Sequence, residues 1–164
     1  MKNILMKFPF VLLFFTVISC EEVTFVEDEA IREKPTIKQG VWGIVKFWEG
    51  DFMPVSPYGN TSGTVTPVER KIYVFEKTHF SKVERVDYSG FYTKIYTDRI
   101  DSTVSNSKGF FELSLPPGEY SMFVKENSIY YSNSGDGYGY ISPFTIKKDS
   151  LSRVEFNINY KATY

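Results

Sequence analysis

Four kinds of side chain in this sequence could carry chemistry: one thiol, one imidazole, twenty carboxylates and twelve phenols. The thiol, Cys20, stands directly after Ser19 at the end of an apolar run. It can be alkylated to a thioether, and as the only cysteine it cannot form an intrachain disulfide. The imidazole, His79, lies in Lys77-Thr78-His79-Phe80-Ser81. Zinc needs about three or four ligands, so one His beside a committed Cys does not make a site. His79 reads as a loop or strand-end residue and not as the base of a triad. Nothing in the spacing of the carboxylates sets two of them against each other across a scissile bond. Ser132-Asn133-Ser134-Gly135-Asp136-Gly137 offers one carboxylate where calcium wants about six to eight oxygens. It reads as a hairpin turn, because Asp-Gly tolerates positive φ. The expectation is no enzyme, no cofactor and no metal.

The phenols are the remaining candidates. Tyr130, Tyr131, Tyr138 and Tyr140 surround the Gly/Ser loop at 132–139. Tyrosine offers a rigid ring with a polar tip, suited to stacking on sugars or to protein contacts. These four form the candidate binding surface; the competing reading is that they cap the ends of the fold.

What positions these residues begins with the N-terminus. Met1 to Lys7 is basic, and Phe8 to Ile18 is apolar apart from Pro9 and Thr16. That run is shorter than the ~20 apolar residues that span a bilayer, and it suits the hydrophobic part of an export signal. Val17-Ile18-Ser19-Cys20 resembles the lipobox of bacterial lipoproteins: two aliphatic residues, a small one, then the cysteine. The resemblance implies cleavage before Cys20, diacylglycerol on its sulfur and acylation of the new amine. At about 0.8 kcal/mol per buried methylene, two or three chains make a lasting anchor. Glu21-Glu22 resemble the surface-export signal of some Gram-negative lipoproteins. The expected location is the outer membrane, on its periplasmic face or at the cell surface.

Removing residues 1–19, which hold Lys2 and Lys7 and no acidic residue, leaves 17 basic and 20 acidic side chains. No basic run supplies a footprint for nucleic acid. The chain divides into an export signal (1–19), a lipidated tether (20–38) and one domain (39–164). The tether is charged and contains Pro35, without clean periodicity.

From Gly40 the pattern alternates in twos. Val41, Gly43, Val45 and Phe47 share one side of a strand, and Trp42, Ile44, Lys46 and Trp48 the other. Residues 54–67 read as a loop. Further strands are predicted at 70–77, 91–97, 100–105, 110–115, 140–147 and 153–160, with one more after Gly118 that carries Tyr120, Met122 and Val124. Their inward residues include Ile72, Val74, Phe111, Leu113, Tyr120, Met122, Val124, Phe156 and Ile158. Pro116-Pro117-Gly118 is predicted to reverse the chain, so that the strands on either side pair antiparallel. The Tyr120 ring is expected to be buried with its hydroxyl bonded.

Gly40-Val41-Trp42-Gly43-Ile44-Val45, Ser107-Lys108-Gly109-Phe110-Phe111 and Leu115-Pro116-Pro117-Gly118-Glu119-Tyr120 resemble carboxypeptidase regulatory-like domains. The resemblance covers residues 38–160 and implies a transthyretin-like (prealbumin-like) fold. The stretch between 77 and 105 is longer than that pattern. The fold class expected is therefore all-β, an antiparallel sandwich of about seven to eight strands. The function expected is a non-catalytic, membrane-anchored envelope module, structural or binding an envelope protein. The alternative is a glycan-binding surface lipoprotein that uses its loop tyrosines.

Overall fold

A computed structural model describes residues 33–53, 62–87 and 89–164. The export signal, Cys20 and most of the tether lie outside these residues. The described chain is a sandwich of two β-sheets with one short 3-10 turn, Phe80–Lys82. Its strands are β1 (Gly40–Asp51), β2 (Thr64–Pro67), β3 (Lys71–Glu76), β4 (Val83–Arg85), β5 (Phe91–Ile95) and β6 (Arg99–Val104). They continue as β7 (Phe110–Leu113), β8 (Gly118–Glu126), β9 (Ile129–Tyr131), β10 (Pro143–Ile146) and β11 (Leu151–Thr163).

One sheet runs β11-β1-β2, with β7 sharing the β2 side of β1; the other runs β4-β5-β9-β8-β3-β6, with β10 beside β8. Every pairing is antiparallel except β1 with β11, which is parallel. The parallel pair follows from the sandwich joining its first strand to its last.

The period-two reading places the core correctly. Val41, Val45, Ile72, Val74, Phe111, Met122, Val124, Phe156 and Ile158 form one buried cluster between the sheets. Tyr120 joins it at 6% exposure, and its hydroxyl donates to Pro116 O at 2.9 Å. The Pro-Pro-Gly corner behaves differently from the sequence expectation. β7 pairs with β1, whereas β8 pairs with β3, β9 and β10. The corner therefore carries the chain from one sheet to the other. Two successive prolines have no N–H with which to close a hairpin.

A second cluster lies on the opposite face of the β8 sheet. Alternation turns Tyr73, Phe75 and Phe123 away from the first core, and they pack with Tyr92 and Ile141 under Val83 and Ile95. Phe123 meets both Phe75 and Tyr92 edge to face, with centroids 5.6 Å apart in each pair. Edge-to-face contact is the favoured geometry for aromatic quadrupoles. The long 77–105 stretch contributes Val83, Tyr92 and Ile95 to this aromatic cluster.

Three strands lie beyond the sequence reading. β2 is four residues long, and three of them are exposed. β4 and β9 have three residues each. Such segments are too short to show a period. β8 and β9 join through Asn127-Ser128, both with positive φ (47° and 73°). That is the requirement of a type I′ hairpin turn, met here without glycine.

The last residues assigned to the tether lie against the domain. Thr36 donates its amide (2.7 Å) and hydroxyl (2.6 Å) to the Glu112 carboxylate. Asn106 Nδ2 donates to Glu33 (3.0 Å), and Gln39 bridges Leu115 O and Asp149 N. The Thr36 hydroxyl is the main cause holding the Glu112 pKa below its ordinary value. A lowered carboxylate pKa contributes stability that is complete above the ordinary value and lost as pH falls through the lowered one. The Thr36 amide resonance should therefore shift on acidification across that window, and Glu112→Gln should abolish the titration. For the second cluster, Phe123→Ala should cost about 3–5 kcal/mol, read as a lower urea midpoint at constant slope.

Candidate functional site

The four candidate tyrosines occupy different environments. Tyr130 and Tyr131 are neighbours on β9, so alternation sends them to opposite faces. Tyr130 packs on the second cluster, edge to face with Tyr73 at 5.4 Å, with Lys125 Nζ 5.5 Å from its ring centre. Tyr131 is a core residue at 1% exposure. Its hydroxyl donates to Asn159 Oδ1 (2.7 Å) and accepts from the Asn159 amide (3.2 Å). Burial pushes its pKa up. Tyr131 therefore ties β9 to β11 across the sandwich and presents no contact surface.

Tyr138 is the exposed member, at 83%. It tips a tight hairpin closed by a 2.6 Å bond between the Ser132 and Ser142 hydroxyls and by Ser142 N donating to Ser134 O. Gly137 and Gly139 have φ of 79° and 90°. Asp136 turns its carboxylate back onto the Tyr138 and Tyr140 amides, at 2.8 and 3.2 Å. The residue that suggested a calcium loop thus serves as the brace of a turn. Tyr140 lies edge to face with His79 at 5.3 Å, with Lys77 Nζ 4.3 Å from its ring centre. His79 Nδ1 accepts from the Ser81 amide at 3.2 Å, capping the 3-10 turn. Among the described residues, no group of three or more His, Cys, Asp or Glu side chains could hold a metal ion.

The geometry offers a different site. Beside this hairpin the two sheets part between β10 and β11, leaving a cleft of about 310 Å³. Phe144 and Phe156 supply apolar walls; Asn133, Glu155, Asn157 and Asn159 supply polar ones. Asn159 is held rigidly, since its Oδ1 also accepts from Asn133 Nδ2 at 2.9 Å and its Nδ2 donates to the Tyr164 hydroxyl at 3.2 Å. Asn157 Oδ1 accepts from Trp48 Nε1 at 2.9 Å, and Glu155 pairs with Lys46 at 3.4 Å. The arrangement can offer amides, a carboxylate and exposed backbone to a bound chain. No family model, curated protein or solved structure matches this chain.

Sequence reasoning reached the hairpin beside the cleft and not the cleft itself. Its lining comes from residues 133–159 on three separate segments, with no fixed spacing. The alternation of Arg153, Glu155, Asn157 and Asn159 with Val154, Phe156 and Ile158 was the one available signal. It marks a strand whose outward residues are polar. Tyr131→Ala should destabilise the fold by about 3–5 kcal/mol. Tyr138→Ala should stay within about 0.5 kcal/mol. Paired urea titrations would separate the core tyrosine from the exposed one.

Proposed function

We propose that this chain is a lipid-anchored envelope module that works by protein contact and performs no bond chemistry of its own. In this reading Cys20 carries acyl chains in the outer membrane. The sandwich, of carboxypeptidase regulatory-like type, presents the β10–β11 seam to an envelope partner. The lipobox residues Val17-Ile18-Ser19-Cys20 support the anchor. The observation that carries the contact role is the cleft itself: a concavity of about 310 Å³, bordered by rigidly bonded asparagines and aromatic walls. Concave surfaces with apolar walls and a few fixed polar groups are the usual form of recognition sites.

The second reading is a glycan-binding surface lipoprotein. The amide lining of the cleft favours it, because Asn and Glu side chains match sugar hydroxyls while Phe144 offers a ring. This moves the glycan contact from the loop tyrosines to the seam.

One experiment separates the readings. A photo-crosslinking residue placed at Ser134 in whole cells should give a single protein adduct of defined mass. A polysaccharide smear at that position would favour the glycan reading, and no adduct would remove both. Cys20→Ala should abolish acyl labelling and release the protein from the membrane fraction. Retention in that fraction without the thiol would remove the anchor.

A further inference from the structure

The outer edge of β11 has a backbone pattern that the cleft alone does not describe. Among the described residues β11 is the longest strand, thirteen residues, and it pairs with no strand but β1. Gly40 N donates to Ser150 O at 3.1 Å, and the parallel register runs unbroken from Gly40↔Leu151 to Phe47↔Ile158. In a parallel ladder each residue turns its N–H and C=O to the same side, and successive residues alternate. The even-numbered residues from Ser150 to Ile158 therefore bond to β1. The odd-numbered ones, Arg153, Glu155 and Asn157, aim their backbone groups away from it. Asn159 shows the same parity, since its N–H goes to the Tyr131 hydroxyl. β10 faces this edge but pairs with β8. It meets β11 through the Ser152 hydroxyl on Thr145 O.

We propose that this edge accepts an extended peptide segment of a partner protein as an added strand, bonded to the backbone of Arg153, Glu155 and Asn157. The proposal rests on the protein-contact reading and names the form of the partner. The occupant follows from the chemistry of the edge. Three outward N–H and C=O pairs at two-residue spacing match an extended backbone, as in other cases of strand addition. A sugar carries no such repeat. The two faces of the added strand meet different surroundings. Side chains turned inward enter the cleft against Phe144 and Phe156. Those turned outward lie beside exposed Arg153, Glu155 and Asn157. The segment that fits has an apolar residue at every second position and polar residues between. Long open edges are aggregation hazards that proteins blunt with charge. Here Arg153, Glu155 and Lys161 lie exposed along the edge strand, while Val154, Phe156 and Ile158 between them turn into the sandwich.

Amide hydrogen exchange on the full chain tests this at residue level. In the free protein the Arg153, Glu155 and Asn157 amides should exchange at least about a hundredfold faster than those of Val154 and Phe156. Protection of the odd-numbered amides that grows with protein concentration would make a second copy the occupant and overturn the proposal. Adding the capped peptide Lys-Val-Thr-Val-Thr-Val-Lys at millimolar concentration should slow the three odd-numbered amides by about tenfold or more. A Gly-Ser peptide of equal length should not. Glu155→Pro deletes an outward N–H, which an edge strand tolerates, and should remove the effect, while Glu155→Ala retains it. No slowing with the apolar peptide, or equal slowing with both peptides, would overturn strand addition. A protein adduct from the Ser134 cross-linker that persists in Glu155→Pro would leave the contact reading standing without it.

Discussion

The parallel pairing of β1 with β11 is the constraint on which the rest depends. It joins residues more than a hundred positions apart, in eleven register pairs. It makes β1 the centre of its sheet, with β11 on one side and β7 and β2 sharing the other. Close approach at the middle of this pair needs Gly43, because a Cβ there would lie 1.7 Å from Val154 O. The approach of the N-terminal segment follows as well, since residues 33–39 reach β1 by passing along β7 and bonding Glu112.

Polar bonds then fix the two sheets relative to each other. At one end of the core the buried Glu126 carboxylate receives Arg70 and the Tyr160 hydroxyl. Nearby, Tyr131 binds Asn159 from the other sheet. Every buried side-chain nitrogen or oxygen among the described residues has a partner. That matters because an unpaired one would cost about 1–3 kcal/mol. A non-directional apolar core would permit the sheets to slide; these directed bonds set the spacing at which the β10–β11 seam stays open.

Most of the sandwich was legible from alternation, and the reason is physical. Val41, Val45, Phe156 and Ile158 lie on strands with one face in the first core, where period two is enforced by burial. The second core was not legible. On β3 and β8 both faces are buried, so Ile72 to Phe75 and Met122 to Val124 read as continuous apolar runs. A continuous run says that a strand is covered twice without saying by what. Short β2, β4 and β9 owe their conformation to partners and not to their own sequence. The site suffered similarly. The tyrosines were chosen by position near a loop, which does not distinguish the two faces of β9; the cleft depends on how far apart the sheets are held.

The same β1–β11 pairing has a consequence for the order of events in the life of the chain. Loop closure between distant segments comes late, because its entropy is lost before its contacts are gained. During synthesis the first strand of the domain leaves the ribosome long before its parallel neighbour exists. Until the residues near Thr163 emerge, β1 can hold only short β2 and β7, and the sheet is half built. Such a chain stays open through elongation and closes in one late step, which leaves the first sheet incomplete until the last strand is made.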